Sequence, residues 1–94
     1  MSPTELKSIA EQPITLPPLL QAMWHDHRGD WEASHNIAQE INDRHGSWVH
    51  AYLHRKEGDS SNASYWYRKA GKSMPNTTLE KEWEEIVQSL LKTK

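Results

Sequence analysis

A Gly-Asp pair occurs twice in this chain, at Gly29-Asp30 and Gly58-Asp59, and the two copies stand 29 residues apart. Glycine takes the left-handed backbone that ends a helix, and aspartate caps the start of the next one. Each pair therefore marks a helix–turn–helix junction. The repeat extends beyond the turns, since Ala22 aligns with Ala51 and His25 with His54. Each hairpin alone would leave an apolar face exposed, so the two are expected to stack and share a core. A chain of 94 residues has room for one small domain.

Apolar spacing extends this pattern along the chain. Residues 1–18 read as a lead-in: a short helix capped by Ser2 with Glu5 three positions on, then an extended segment over 13–18 with three prolines. Ile14 and Leu16 are expected to pack down on the domain formed by residues 19–94. Helices are predicted over 18–28, 31–44, 48–57 and 60–70, with Gly46 ending the second and Ser47 capping the third. A last helix begins at the Thr77-x-x-Glu80 box and carries Leu79, Trp83, Ile86, Val87, Leu90 and Leu91 on one stripe. No segment alternates with period two. The expected fold is all-α: two stacked antiparallel helical hairpins plus a C-terminal capping helix.

Composition narrows the function classes. Hydrophobic residues make up 35% of the chain, but five Trp and three Tyr concentrate that area in large rings, which argues for a packed fold over disorder. The absence of Cys excludes disulfides, thiolate metal sites and a Cys nucleophile. A net charge of −2 argues against nucleic acid as a partner. Apolar runs of two or three residues leave no membrane span and no signal segment, so the expected location is the cytoplasm.

The second hairpin resembles a tetratricopeptide repeat. Ala51 falls at that family's close-packing small position, and Gly58-Asp59 falls at its inter-helix turn. Ala63, Tyr67, Ala70 and Pro75 match its later Ala, aromatic, Ala and Pro positions. His50 and His54 depart from it, standing where the family has Leu and Tyr, and Trp48 sits one place late. The first hairpin matches at Ala22, Gly29 and Asp30, and the repeat is shorter than the family's roughly 34 residues. The string from Trp48 to Asp59, followed by the segment from Asn62 to Tyr67, is also similar to a group of small uncharacterised microbial proteins. The resemblance implies a helical-hairpin fold and attaches no activity.

Two function classes remain. In the first, the chain is a protein- or peptide-interaction module. The resemblance puts Trp48, Tyr52, Arg55 and Lys56 on the groove-lining helix, where rings beside cations suit an aromatic or carboxylate anchor. A homodimer through an exposed aromatic face belongs to the same class. The competing reading makes Trp48 and Tyr52 plain core. In the second class, the six histidines carry the chemistry. His50 and His54, four apart, project from one stripe of a helix, on the side opposite its apolar residues. His25 holds the equivalent place in the first hairpin and His35 is a fourth candidate. Converging neutral imidazoles suit zinc or another divalent metal, or general acid–base work in a hydrolytic site. The plain alternative makes each one an interior histidine bonded to a carbonyl or carboxylate. No catalytic nucleophile motif or phosphate loop is present.

Overall fold

A computed structural model describes residues 1–92, which form six helices: α1 (Pro3–Lys7), α2 (Pro18–His27), α3 (Trp31–Ala38), α4 (Arg44–Lys56), α5 (Ser60–Lys69) and α6 (Leu79–Lys92). No strand occurs among the described residues. The duplicated Gly-Asp pair does the same work twice. Gly29 and Gly58 take φ of 87° and 89°, a backbone open to glycine at little cost. Asp30 then accepts from the Ala33 amide at 3.0 Å, and Asp59 from the Asn62 amide at 3.3 Å.

Across these turns α2 packs on α3 and α4 on α5, while α3 also lies against α4 and α6 crosses both α2 and α4. Helix α4 is consequently central, and every residue from Gly46 to His54 is buried. Its apolar side meets α2 and α6. The side carrying His50 and His54, opposite the apolar stripe, is covered as well, chiefly by α3 and α5. A wheel with one apolar stripe cannot anticipate a helix enclosed on both sides.

Two boundaries differ from expectation around residues 39–47. Helix α3 stops at Ala38, and α4 begins at Arg44, with Asp43 accepting from the Gly46 amide at 2.7 Å. Asp43 is thus the cap, and Ser47 lies buried inside the helix. Gly46 is no terminator. A Cβ there would stand 2.0 Å from the Ile41 carbonyl oxygen, so glycine permits the close approach of the connecting segment.

The lead-in packs on the domain. Ser2 accepts from the Glu5 amide at 3.2 Å, Leu6 is fully buried, and Trp24 Nε1 donates to the Ile9 carbonyl at 3.0 Å. The proline segment turns instead of extending: the Leu16 amide donates to the Pro13 carbonyl at 3.0 Å. That turn lets Leu16 reach the core but leaves Ile14 75% exposed, contrary to the expectation that both pack.

Buried charge fixes α6. Glu82, 1% exposed, accepts from Tyr67 OH at 2.6 Å, Arg55 Nη1 at 2.6 Å and Trp48 Nε1 at 3.1 Å. Asp26, 2% exposed, accepts from Tyr52 OH at 2.6 Å and Lys56 Nζ at 2.8 Å. Each buried carboxylate is therefore matched by a cation and a hydroxyl, the condition under which burial of charge is tolerated. Burial and the adjoining carboxylates push the Tyr52 and Tyr67 hydroxyls well above their ordinary pKa, so both stay protonated donors.

Candidate functional site

Three imidazoles meet where α3 lies on α4. His35 is in the last turn of α3, and His50 and His54 lie one turn apart on α4. One ring nitrogen from each falls within 4.8 Å of the other two. His35 Nε2 and His50 Nε2 are 3.0 Å apart. Ring centroids are 4.6 Å apart for His35–His50, 4.8 Å for His50–His54 and 5.2 Å for His35–His54.

Two tryptophans wall the cluster. Trp31 stacks on His35 with centroids 4.7 Å apart, and its Nε1 donates to the Leu53 carbonyl at 2.8 Å, which locks the indole. Trp66 of α5 stacks on His50 at 4.0 Å. On the outer side Glu57 Oε2 lies 2.7 Å from His54 Nδ1. His54 Nε2 has no hydrogen-bond partner among the described residues.

The electrostatics follow from this crowding. Burial, then the neighbouring His35 and His54 rings, lowers the His50 pKa to about 4. Burial and His54 also lower His35. Both are neutral at neutral pH, the state in which an imidazole nitrogen has a lone pair to give.

Sequence reasoning named these three residues but weighted them differently. His25, expected as a principal member, is outside the set, half-buried with its ring edge to Trp24 at 5.2 Å. The repeat explains why. Helix α3 covers His54, whereas the matching place beside α2 is held by the lead-in, whose Ile9 and Ala10 carbonyls accept from Trp24 and Arg28. His35, the fourth candidate, is instead a full member. His27 lies against Trp83, and His45 pairs with Ser89 at 3.1 Å. Trp31 and Trp66 were missed, whereas Glu57 was one of the carboxylates, with Asp26, Asp30 and Asp59, that the sequence offered beside the imidazoles. The available signal was Trp31-x-x-x-His35, the same helical spacing as His50-x-x-x-His54.

The proposed groove residues lie elsewhere. Trp48 and Tyr52 are 8% and 2% exposed, with polar atoms committed to Glu82 and Asp26. Trp48 borders one shallow cavity with Lys72 and Pro75, while Tyr52 and Lys56 border another with His27 and Trp83. Neither cavity is lined by all four. Arg55 is spent on Glu82 and the Thr77 carbonyl, and Lys56 on Asp26.

No family profile, curated protein or solved structure matches this chain. Among the described residues no helix is long and apolar enough to cross a membrane.

Proposed function

We propose that this chain is a small helical metal-binding protein in which His35, His50 and His54 hold one divalent transition-metal ion, zinc being the natural candidate. The convergence of three imidazole nitrogens from two helices carries this reading. Ligands on one tetrahedral ion with bonds of about 2.0–2.1 Å are about 3.3 Å from each other. The 3.0 Å separation of His35 and His50 Nε2 is already close to that value. Glu57 on His54 Nδ1 is the carboxylate partner that orients a ligating histidine and leaves Nε2 free to bind. Three imidazoles without thiolate or direct carboxylate suit zinc, copper, nickel or iron better than magnesium or calcium.

A purely structural role accounts less well for the same facts. Burying three basic rings together costs stability whenever any of them is protonated, and a packed leucine would fill the space without that liability. The peptide-module reading has less support, because Trp48 and Tyr52 are enclosed and all four groove candidates already have polar partners. Within the metal-binding reading, α2–α3 and α4–α5 are two stacked antiparallel, tetratricopeptide-like hairpins with α6 as the cap. An ion bound to both α3 and α4 would clamp one hairpin to the other.

Calorimetric titration of metal-free protein with zinc tests the proposal. One equivalent is expected to bind, with binding lost in His35→Gln and in His50→Ala. His35→Gln alters a half-buried position and guards against simple misfolding of the second variant. No heat and no thermal shift in the unaltered protein would overturn it.

A further inference from the structure

A second group of ligand atoms adjoins the first. His54, Glu57 and Asp59 each offer one within 4.8 Å of the others. The two groups share His54 and differ in every other respect. The inner one has no carboxylate among its ligands and lies between two indoles. The outer one has two exposed carboxylates at the α4–α5 turn, open to water. Resting on the metal-binding reading above, we propose that His54, Glu57 and Asp59 form a capture site for the same divalent ion, which then passes through His54 to the inner imidazoles.

The physical case begins with dehydration. A divalent ion arrives hydrated and must lose water to enter a cluster without countercharge, which makes direct loading unfavourable. Two carboxylates at the rim concentrate cations from solution and can replace part of the hydration shell in a first step. The shared ring then supplies continuity. His54 is 7% exposed, its Nδ1 faces Glu57 at 2.7 Å, and its Nε2 is without a partner among the described residues. A neutral imidazole offers one lone pair at a time, so this ring serves one ion at a time. An outer ion uses Nδ1 once the proton that Nδ1 donates to Glu57 has passed by way of solvent to Nε2. When the ion moves inward, Nε2 loses its proton to solvent and Nδ1 takes one up and donates it to Glu57, so the exchange is balanced.

Asp59 has a second reason to be present, because it caps α5. Its contacts there are long, 3.3 Å to the Asn62 amide and 3.4 Å to the Asn62 side chain, and carboxylate lone pairs remain for a cation. Asparagine caps a helix as well as aspartate does. Asp59→Asn therefore removes the charge while keeping the helix start and the backbone link of the Asp59 amide to the His54 carbonyl at 2.9 Å.

Stopped-flow zinc uptake and chelator-driven release, followed by the fluorescence of Trp31 and Trp66 beside the ligands, give both rates. In Asp59→Asn, uptake and release are expected to slow together by about tenfold, with the equilibrium constant held within about twofold, as for loss of a step on the path. Glu57→Gln is expected to slow uptake and also weaken binding, since it orients His54. Glu11→Gln, an exposed carboxylate far along the chain, is expected to leave both rates alone. Unchanged rates in Asp59→Asn overturn the capture site, as does equal slowing in Glu11→Gln, which would reduce the effect to net charge. If unaltered protein takes up no zinc, the inner-site reading falls and the capture site falls with it.

Discussion

His35 Nε2 and His50 Nε2 approach to 3.0 Å across the α3–α4 contact, a side-chain link between the two helix pairs at the candidate site. The link joins segments from either side of the 39–43 connection, so anything that bonds both nitrogens also resists separation of α3 from α4. Metal binding is accordingly expected to stabilise the fold. Ligand at about 100 times its dissociation constant adds about 2.7 kcal/mol. For a domain of this length that corresponds to a rise in midpoint on the order of 10 °C. Thermal scans with and without zinc check it, and an unchanged midpoint at saturating metal contradicts it.

The histidine cluster also sets a pH dependence for the metal-free protein. Folding lowers His50 from 6.5 to about 4, and His35 in the same direction. Between those values the unfolded chain binds more protons than the folded one. Stability is therefore complete above pH 6.5 and declines as pH falls toward about 4, by up to ~1.4 kcal/mol per pH unit for each such ring. The urea midpoint is expected to be lower at about pH 5 than at about pH 7.5. A His50→Gln variant should flatten part of that slope. A midpoint that stays level across the interval would show that the rings titrate alike in both states.

Much of the architecture was legible in the sequence because it rests on local rules. The Gly-Asp pairs placed the α2–α3 and α4–α5 turns, and the apolar stripe of α6 anticipated buried Trp83, Ile86 and Val87. What escaped depends on contacts distant in sequence. Gly46 reads as a helix stop by composition, yet its reason is the Ile41 carbonyl against its α-carbon, which no periodicity reports. His50 and His54 read as lying opposite the apolar stripe, and what buries them is α3 and α5, whose placement the wheel of α4 does not contain. The 29-residue repeat correctly related His25 to His54 but could not tell that only one of them has a hairpin on its outer side.

Gly46 gives a direct stability test. Alanine there would put a methyl 2.0 Å from a backbone oxygen and 3.0 Å from the Ile41 side chain. Backbone must move to admit it, as in overpacked cores, at a cost of about 1–3 kcal/mol. Alanine favours helix over glycine by about 1 kcal/mol at an ordinary helical position. A net loss in Gly46→Ala, measured by denaturant midpoint, thus supports the close approach, whereas a gain would mean that the 39–43 segment stands off from α4.

Glu82 is the most consequential single anchor outside the histidines. Its carboxylate receives a hydroxyl, a guanidinium and an indole N–H from two other helices, and it is the only buried acid on α6 among the described residues. Glu82→Ala leaves Arg55 and two buried donors without their acceptor, and is expected to cost about 3–5 kcal/mol, a large fraction of a small domain's stability. Tyr67→Phe removes one donor and leaves the ion pair, so about 1–3 kcal/mol is expected. The double variant should lose clearly less than the sum, because Tyr67 has no acceptor left once Glu82 is gone. Strict additivity in that cycle would deny the coupling. Since α6 lies on α2 and α4 and the imidazoles on the α3 side, zinc affinity of folded Tyr67→Phe should match that of the unaltered protein.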